Sequence, residues 1–100
     1  MKLGILVNTD RNQAAVIGIT KAALKKGHEV NIFAMDSGTR LLEDPSYTGL
    51  CELEGVSMSF CDYSAKELGT RKDGIPEKIV CGSQYNNATM NHSSDKVIVL

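Results

Sequence analysis

The side chains in this 100-residue chain with the readiest nucleophilic or metal-binding chemistry are three cysteines and two histidines. Of these, Cys61 has the most suggestive setting. It lies in residues 55–69, GVSMSFCDYSAKELG, where Val56, Met58 and Phe60 alternate with Ser57, Ser59 and Cys61. Alternation with period two is the mark of a strand. After Cys61 come Ser64, Ala65, Lys66, Glu67 and Leu68, which suit a helix, and Gly69, which can take the left-handed conformation that ends one. Cys61 is therefore expected at a strand-to-helix junction. Unpaired N–H groups and the helix dipole favour a thiolate there, which is the reactive form for nucleophilic or sulfur-carrying work. The competing reading is a small buried hydrophobe closing a strand. Asp62 opposes the thiolate, and Lys66 about one turn later can offset that charge.

The other candidates are weaker. Cys81 would face Cys61 if their strands are neighbours, and could then resolve a disulfide or receive sulfur; a packing role is the simpler expectation. A Cys61–Cys81 bridge needs Cα atoms within about 7 Å. Cys51 reads as packing on a short helix. His28 and His92 precede strands, so they belong at the sheet edge away from Cys61, and general-base contact at roughly 3 Å is not expected. No histidine or cysteine pair has ligand spacing, so no metal is expected. The loop NTDRNQ after the first strand contains no glycine, so it is neither a dinucleotide fingerprint nor a P-loop, and no cofactor is expected. Asp10 resembles the acceptor position of a receiver domain, but the accompanying acidic pair and lysine are not evident.

Length and composition bound the setting of this chemistry. One hundred residues make one domain, residues 1–100, with a single modest core. The net charge is −1 with both signs dispersed, which excludes electrostatic capture of nucleic acid or an anionic membrane. No window approaches the ~18 apolar residues of a membrane span. The opening MKLGILVN lacks the longer apolar region of a signal peptide and reads as a strand. An odd cysteine count with irregular spacing fits a reducing compartment. A cytoplasmic protein is the expectation.

The elements that must position Cys61 follow from periodicity. Leu3 to Val7 is a continuous apolar run, as in strands covered on both faces. Asp10 or Asn12 can cap a helix from Gln13 to Lys26, where Ala15, Val16, Ile19, Ala22 and Ala23 recur at helical spacing and Gly27 follows. His28 to Met35 is a second strand, completing a right-handed βαβ unit. Between residues 36 and 54 the pattern is irregular. Thr39 to Glu43 suits one helical turn, Pro45 breaks it, and Tyr47, Leu50, Cys51 and Glu54 suit a short amphipathic helix. The Cys61 stretch supplies the third strand and helix. Thr70 to Pro76 is a charged loop and Lys78 to Cys81 a short fourth strand. Ser83 can cap a helix from about Gln84 to Asn91, although asparagine makes a poor helix interior. Lys96 to Leu100 is the fifth strand. The order predicts a three-layer α/β/α domain on a mainly parallel five-stranded sheet. In such sheets ligands and reactive groups gather outside the carboxyl ends of the strands. That rule collects Asn8, Thr9, Asp10, Asp36, Ser37, Cys61, Cys81, Gly82 and Ser83 along one edge.

These residues carry a likeness. LGILVN with its helix, the block FCDYSAKELG, the run GIPEKIVCGS and the closing DKVIVL together resemble the DsrE/DsrF-like family, which includes the TusD-type sulfur-relay subunits. Cys61 and Gly69 hold the spacing of that family's cysteine and helix-ending glycine, and Ser64 stands where some relatives have a second cysteine. The resemblance implies a thiol that accepts sulfane sulfur as a persulfide and hands it to a partner protein, in a trimer or hexamer, with sulfur donor and acceptor proteins as partners. On that reading Cys61 is the catalytic residue, with Asn8, Asp10, Lys66, Cys81 and Ser83 as candidate pocket residues. The alternative is a non-catalytic subunit with an assembly or regulatory role.

Overall fold

A computed structural model describes all residues, 1–100. The five strands are β1 (Lys2–Val7), β2 (Glu29–Ala34), β3 (Val56–Cys61), β4 (Ile79–Gly82) and β5 (Lys96–Val99). They form one sheet in the order β4-β3-β2-β1-β5, and every pairing is parallel. The principal helices are α1 (Gln13–Lys25), α2 (Pro45–Thr48), α3 (Asp62–Leu68) and α4 (Gln84–Ser93). The architecture is the three-layer α/β/α expected from the element order. No helix is long and apolar enough to cross a membrane.

The strand order decides which helix covers which face. From β1 to β4 the chain steps in one direction across the sheet, so right-handed crossovers put α1, α2 and α3 on the same side. The step from β4 to β5 runs back over β3, β2 and β1, so α4 covers the other side alone. The core divides accordingly. Ile5, Val7, Val30, Ile32, Ala34, Met58, Phe60 and Ile79 point to the side with more helices and form the main cluster with Val16, Leu41, Tyr47 and Ala65. The alternate positions Leu6, Phe33, Met35, Cys61 and Val97 join Met90 of α4 in a smaller second cluster. Gly4 permits this close approach, since a Cβ there would stand 2.8 Å from Ser94 Oγ and 3.2 Å from Met90 Cγ.

The segment between β2 and β3 is more ordered than its irregular pattern predicts. Asp36–Glu43 and Gly49–Glu52 are 3-10 helices flanking α2. Pro45 ends the first of these turns as expected, with Asp44 extended before it; it also opens α2, where its missing N–H costs nothing, and the Asp44 carboxylate caps the turn by accepting from Ser46 N–H at 2.9 Å. Buried Leu41, Leu42, Tyr47, Leu50 and Cys51 explain why this segment is not a loose loop. At the start of α1, Asn12 occupies the capping position without a side-chain bond. Strand and helix ends otherwise fall within about one or two residues of the expected ones.

Tyr47 is fully buried, and burial pushes its phenol well above the usual range. No protein group hydrogen-bonds its hydroxyl. A buried polar group without a partner costs about 1–3 kcal/mol. Tyr47→Phe keeps the ring and removes that cost. We expect it to be neutral to stabilising by about 1 kcal/mol in urea unfolding. A loss of more than about 1 kcal/mol would show that the hydroxyl is in fact satisfied in solution.

Candidate functional site

Cys61 is the last residue of β3 and the N-cap of α3. The period-two pattern that makes β3 a strand turns Phe60 into the main core and Cys61 toward α4, where it packs with Phe33 and Met90. Gly69, at φ 67°, ends α3 as its position implies. The thiol is 4% exposed. Burial alone would push it up. The backbone N–H and hydroxyl of Ser64, the side-chain amide of Gln84 and the Tyr63 N–H outweigh that penalty, so the thiol stands below its ordinary value. The two backbone groups belong to the first turn of α3 and face the sulfur without reaching the geometry of a formed cap bond. A buried residue held toward its anionic form is suited to nucleophilic attack on sulfur, once it is reached.

The first residue of α4, Gln84, reaches the end of β2 beside this thiol. The Gln84 amide nitrogen donates to Met35 Sδ at 3.8 Å, and the same amide acts on Cys61. α4 is anchored where it leaves β4. The Ser83 hydroxyl accepts from Tyr85 N–H at 3.2 Å, and Asn86 Oδ1 accepts from Ser83 N–H at 3.0 Å, a reciprocal capping box.

The other residues singled out by the sequence are distributed as follows. Ser83 holds the start of α4 and Asn8 and Asp10 follow β1, so all three belong to the carboxyl-end edge with Cys61. Lys66 reaches Asp62 at 3.1 Å rather than the thiol, and Lys72 reaches the other Asp62 oxygen at 2.5 Å. Lys72 first, then Lys66, hold the Asp62 carboxyl down to about 2. These cations therefore neutralise the carboxylate next to Cys61, as the spacing of Lys66 suggests, while Lys72 enters from the following loop.

Cys81 stands apart from Cys61, although β3 and β4 are neighbours. Phe60 pairs with Cys81 and Cys61 pairs with Gly82. In a parallel ladder, paired residues share a face and adjacent residues alternate. The two thiols therefore point to opposite faces, and bridging them would require the backbone to turn over. Cys81 is exposed, and burial together with Asp62 pushes its thiol up. It lines a cleft of about 300 Å³ with Phe60, Lys72, Ile75, Pro76 and Ile79. Cys51 is buried in the main core. His28 precedes β2, with Nδ1 3.0 Å from the N-terminal amine, and His92 lies in the last turn of α4. No group of three or more histidine, cysteine or acidic residues could hold a metal ion.

Ser64, Gln84, Phe33, Met35 and Met90 surround the sulfur, and sequence reasoning did not bring them together. In the sequence Ser64 stands out as a helix residue and as the position where some DsrE/DsrF-like proteins have a cysteine, neither of which marks it as a donor to Cys61. Gln84 had one available signal, its place directly after the cap of the helix that follows the neighbouring strand.

No family model matches the chain, and no curated protein matches it. Among solved structures, the chain is similar to the ychN protein from E. coli. The two superpose with a TM-score of 0.69 at 12% identity, over 99% of this chain and 97% of the other. At that identity the likeness establishes the fold alone, which this chain shares with the ychN protein.

Proposed function

We propose that the protein is a small sulfur carrier, in which Cys61 accepts sulfane sulfur as a persulfide and passes it to a partner protein. The observation that carries this reading is the set of N–H and O–H donors at Cys61, which favours the thiolate against the penalty of burial. The sequence resemblance to the DsrE/DsrF-like family agrees with it. In the loading step the Cys61 thiolate attacks the outer sulfur of a donor persulfide, R–S–SH. The donor S–S bond breaks as the new one forms, giving Cys61–S–SH and R–S⁻. The proton can then pass from the acidic persulfide to the departing thiolate. Nothing is oxidised or reduced overall, and unloading is the same exchange toward an acceptor thiolate. Donors arranged around the sulfur suit an anion that alternates between thiolate and persulfide. A reducing compartment such as the cytoplasm and a homo-oligomeric assembly with donor and acceptor proteins belong to this reading.

The test is the intact mass of the protein after exposure to a low-molecular-weight persulfide. A gain of one sulfur, about 32 Da, is expected on wild type and on Cys81→Ser, reversible by reductant and absent from Cys61→Ser. Sulfur acceptance that survives Cys61→Ser would overturn the assignment. The burial of Cys61 favours a second reading, a non-catalytic subunit in which this thiol is only a core residue. No adduct on folded wild type, with Cys61 also resistant to alkylation, would decide for it.

A further inference from the structure

The asparagine content that makes α4 a poor helix on propensity has a geometric counterpart. Along one face of α4, side-chain amides are joined head to tail. Asn91 Nδ2 donates to Asn87 Oδ1 at 2.8 Å and to Asn87 O at 2.8 Å. Asn87 Nδ2 donates to Gln84 Oε1 at 3.1 Å. Gln84 Nε2 donates to Met35 Sδ at 3.8 Å, beside Cys61. Every link points the same way, toward the sulfur atoms at the carboxyl ends of β2 and β3. An amide side chain can present either its oxygen or its nitrogen to a neighbour. Here Asn87 occupies the Gln84 oxygen, which leaves the Gln84 NH₂ group for the sulfurs. Aligned hydrogen bonds also polarise one another, which strengthens the last donor.

We propose that Asn91, Asn87 and Gln84 form a directional amide ladder that positions a hydrogen-bond donor over the Cys61 sulfur and closes the approach to it. The proposal deepens the sulfur-carrier reading and rests on its choice of Cys61. Gln84 is the residue that reaches the sulfurs, its Nε2 standing 3.8 Å from Met35 Sδ beside Cys61, and Asn87 and Asn91 act through it. A persulfide extends the side chain by one S–S bond of about 2.05 Å. The added sulfur would meet the Gln84 NH₂ group if it extends toward α4, so one donor would serve both the empty and the loaded thiol. For a partner to reach Cys61, the Gln84 side chain must first swing off Met35.

The ladder is tested by the pH dependence of Cys61 alkylation with iodoacetamide, followed by peptide mass mapping that resolves Cys61 from Cys51 and Cys81. Gln84 and Asn87 lie on α4 outside the buried core, so alanine at either site is expected to leave the fold intact, checked by circular dichroism. Gln84→Ala removes both cover and donor. Its limiting rate at high pH should rise about tenfold, and the midpoint of its profile should move up by about one pH unit. Asn87→Ala leaves the cover in place but frees the Gln84 amide to turn. Its midpoint should move up by about half a unit while the limiting rate stays near that of wild type. Gln84→Glu, which offers only acceptors, should raise the midpoint without the tenfold gain in rate. An Asn87→Ala profile that superimposes on wild type would overturn the ladder, as would a Gln84→Ala midpoint that does not move. Alkylation uses no persulfide, so the two proposals fail separately. If the Gln84 and Asn87 shifts occur but Cys61 takes up no sulfur, the carrier reading falls and the ladder stands; the reverse pair of results has the opposite meaning.

Discussion

Phe33→Ala is expected to destabilise the protein by about 3–5 kcal/mol and to speed alkylation of Cys61 at the same time. Phe33 is fully buried beneath α4, in contact with the small cluster that holds Cys61 and Met90. That side of the sheet has a single helix over it, and Met90 is the one buried residue α4 supplies. The neighbours of Phe33 therefore have few side chains with which to refill a lost ring. Poor relaxation places a large-to-small substitution toward the upper end of its range. A domain of this size has about 5–15 kcal/mol in total, so the variant should melt more than about 10 °C below wild type and still fold at room temperature. Loosening the packing of α4 also loosens the position of Gln84, which is how the same cavity reaches the thiol. Phe33→Leu keeps most of the volume and should cost about 1.5 kcal/mol or less. Urea unfolding and iodoacetamide kinetics on the same samples check both halves. A Phe33→Ala cost near that of Phe33→Leu would mean that α4 does not seal this face.

The sheet was legible because its strands carry strong local signals. The run Leu3–Val7, the alternation Val56–Cys61 and the run at Lys96–Leu100 need no tertiary information to read. Gly27 and Gly69 ended α1 and α3 where the chain needs a positive φ, at 84° and 67°. The segment 36–54 was harder, because 3-10 turns have no periodicity as strong as that of a helix or strand. There the burial of Tyr47 and Leu50 against the sheet decides the conformation. The site was half legible. Cys61 can be placed at its junction by reading along the chain. Its neighbours come from β2, α3 and α4, and that convergence depends on strand order and crossover side. The face of Cys81 shows this well. Both thiols read as ending adjacent strands, but a register offset of one residue puts them on opposite sides of the sheet. Spacing along one sequence does not specify that offset. The asparagines of α4 show it again, since their value lies in bonds between side chains, and a propensity scale counts only their cost to the backbone.

Two identical substitutions should move stability in opposite directions, and the reason is visible at each glycine. Gly18 lies on the outer side of α1, and a Cβ there would meet nothing within 4 Å. Gly18→Ala should therefore stabilise by up to about 1 kcal/mol, the propensity difference in an exposed helix interior. Gly38 is buried in the 3-10 helix after β2, and its Cβ would overlap the Val7 carbonyl group. Val7 O also accepts from Met35 N–H at 2.9 Å, one of the bonds that tie the end of β2 to β1. Backbone atoms cannot turn aside as a side chain can. Relief requires the 36–43 segment to lift from the end of β1, with buried Thr39, Leu41 and Leu42 moving behind it. Gly38→Ala gains about 0.4–1 kcal/mol through reduced freedom of the unfolded chain and loses about 3 kcal/mol to overpacking. The clash wins by a wide margin. The displaced segment adjoins the carboxyl ends of β1 and β2, so amide exchange should quicken at Met35 and Gly38 while α4 is unaffected. Equal ΔΔG values for the two variants, measured by urea unfolding, would show that the 36–43 segment is not seated on the end of β1 as described.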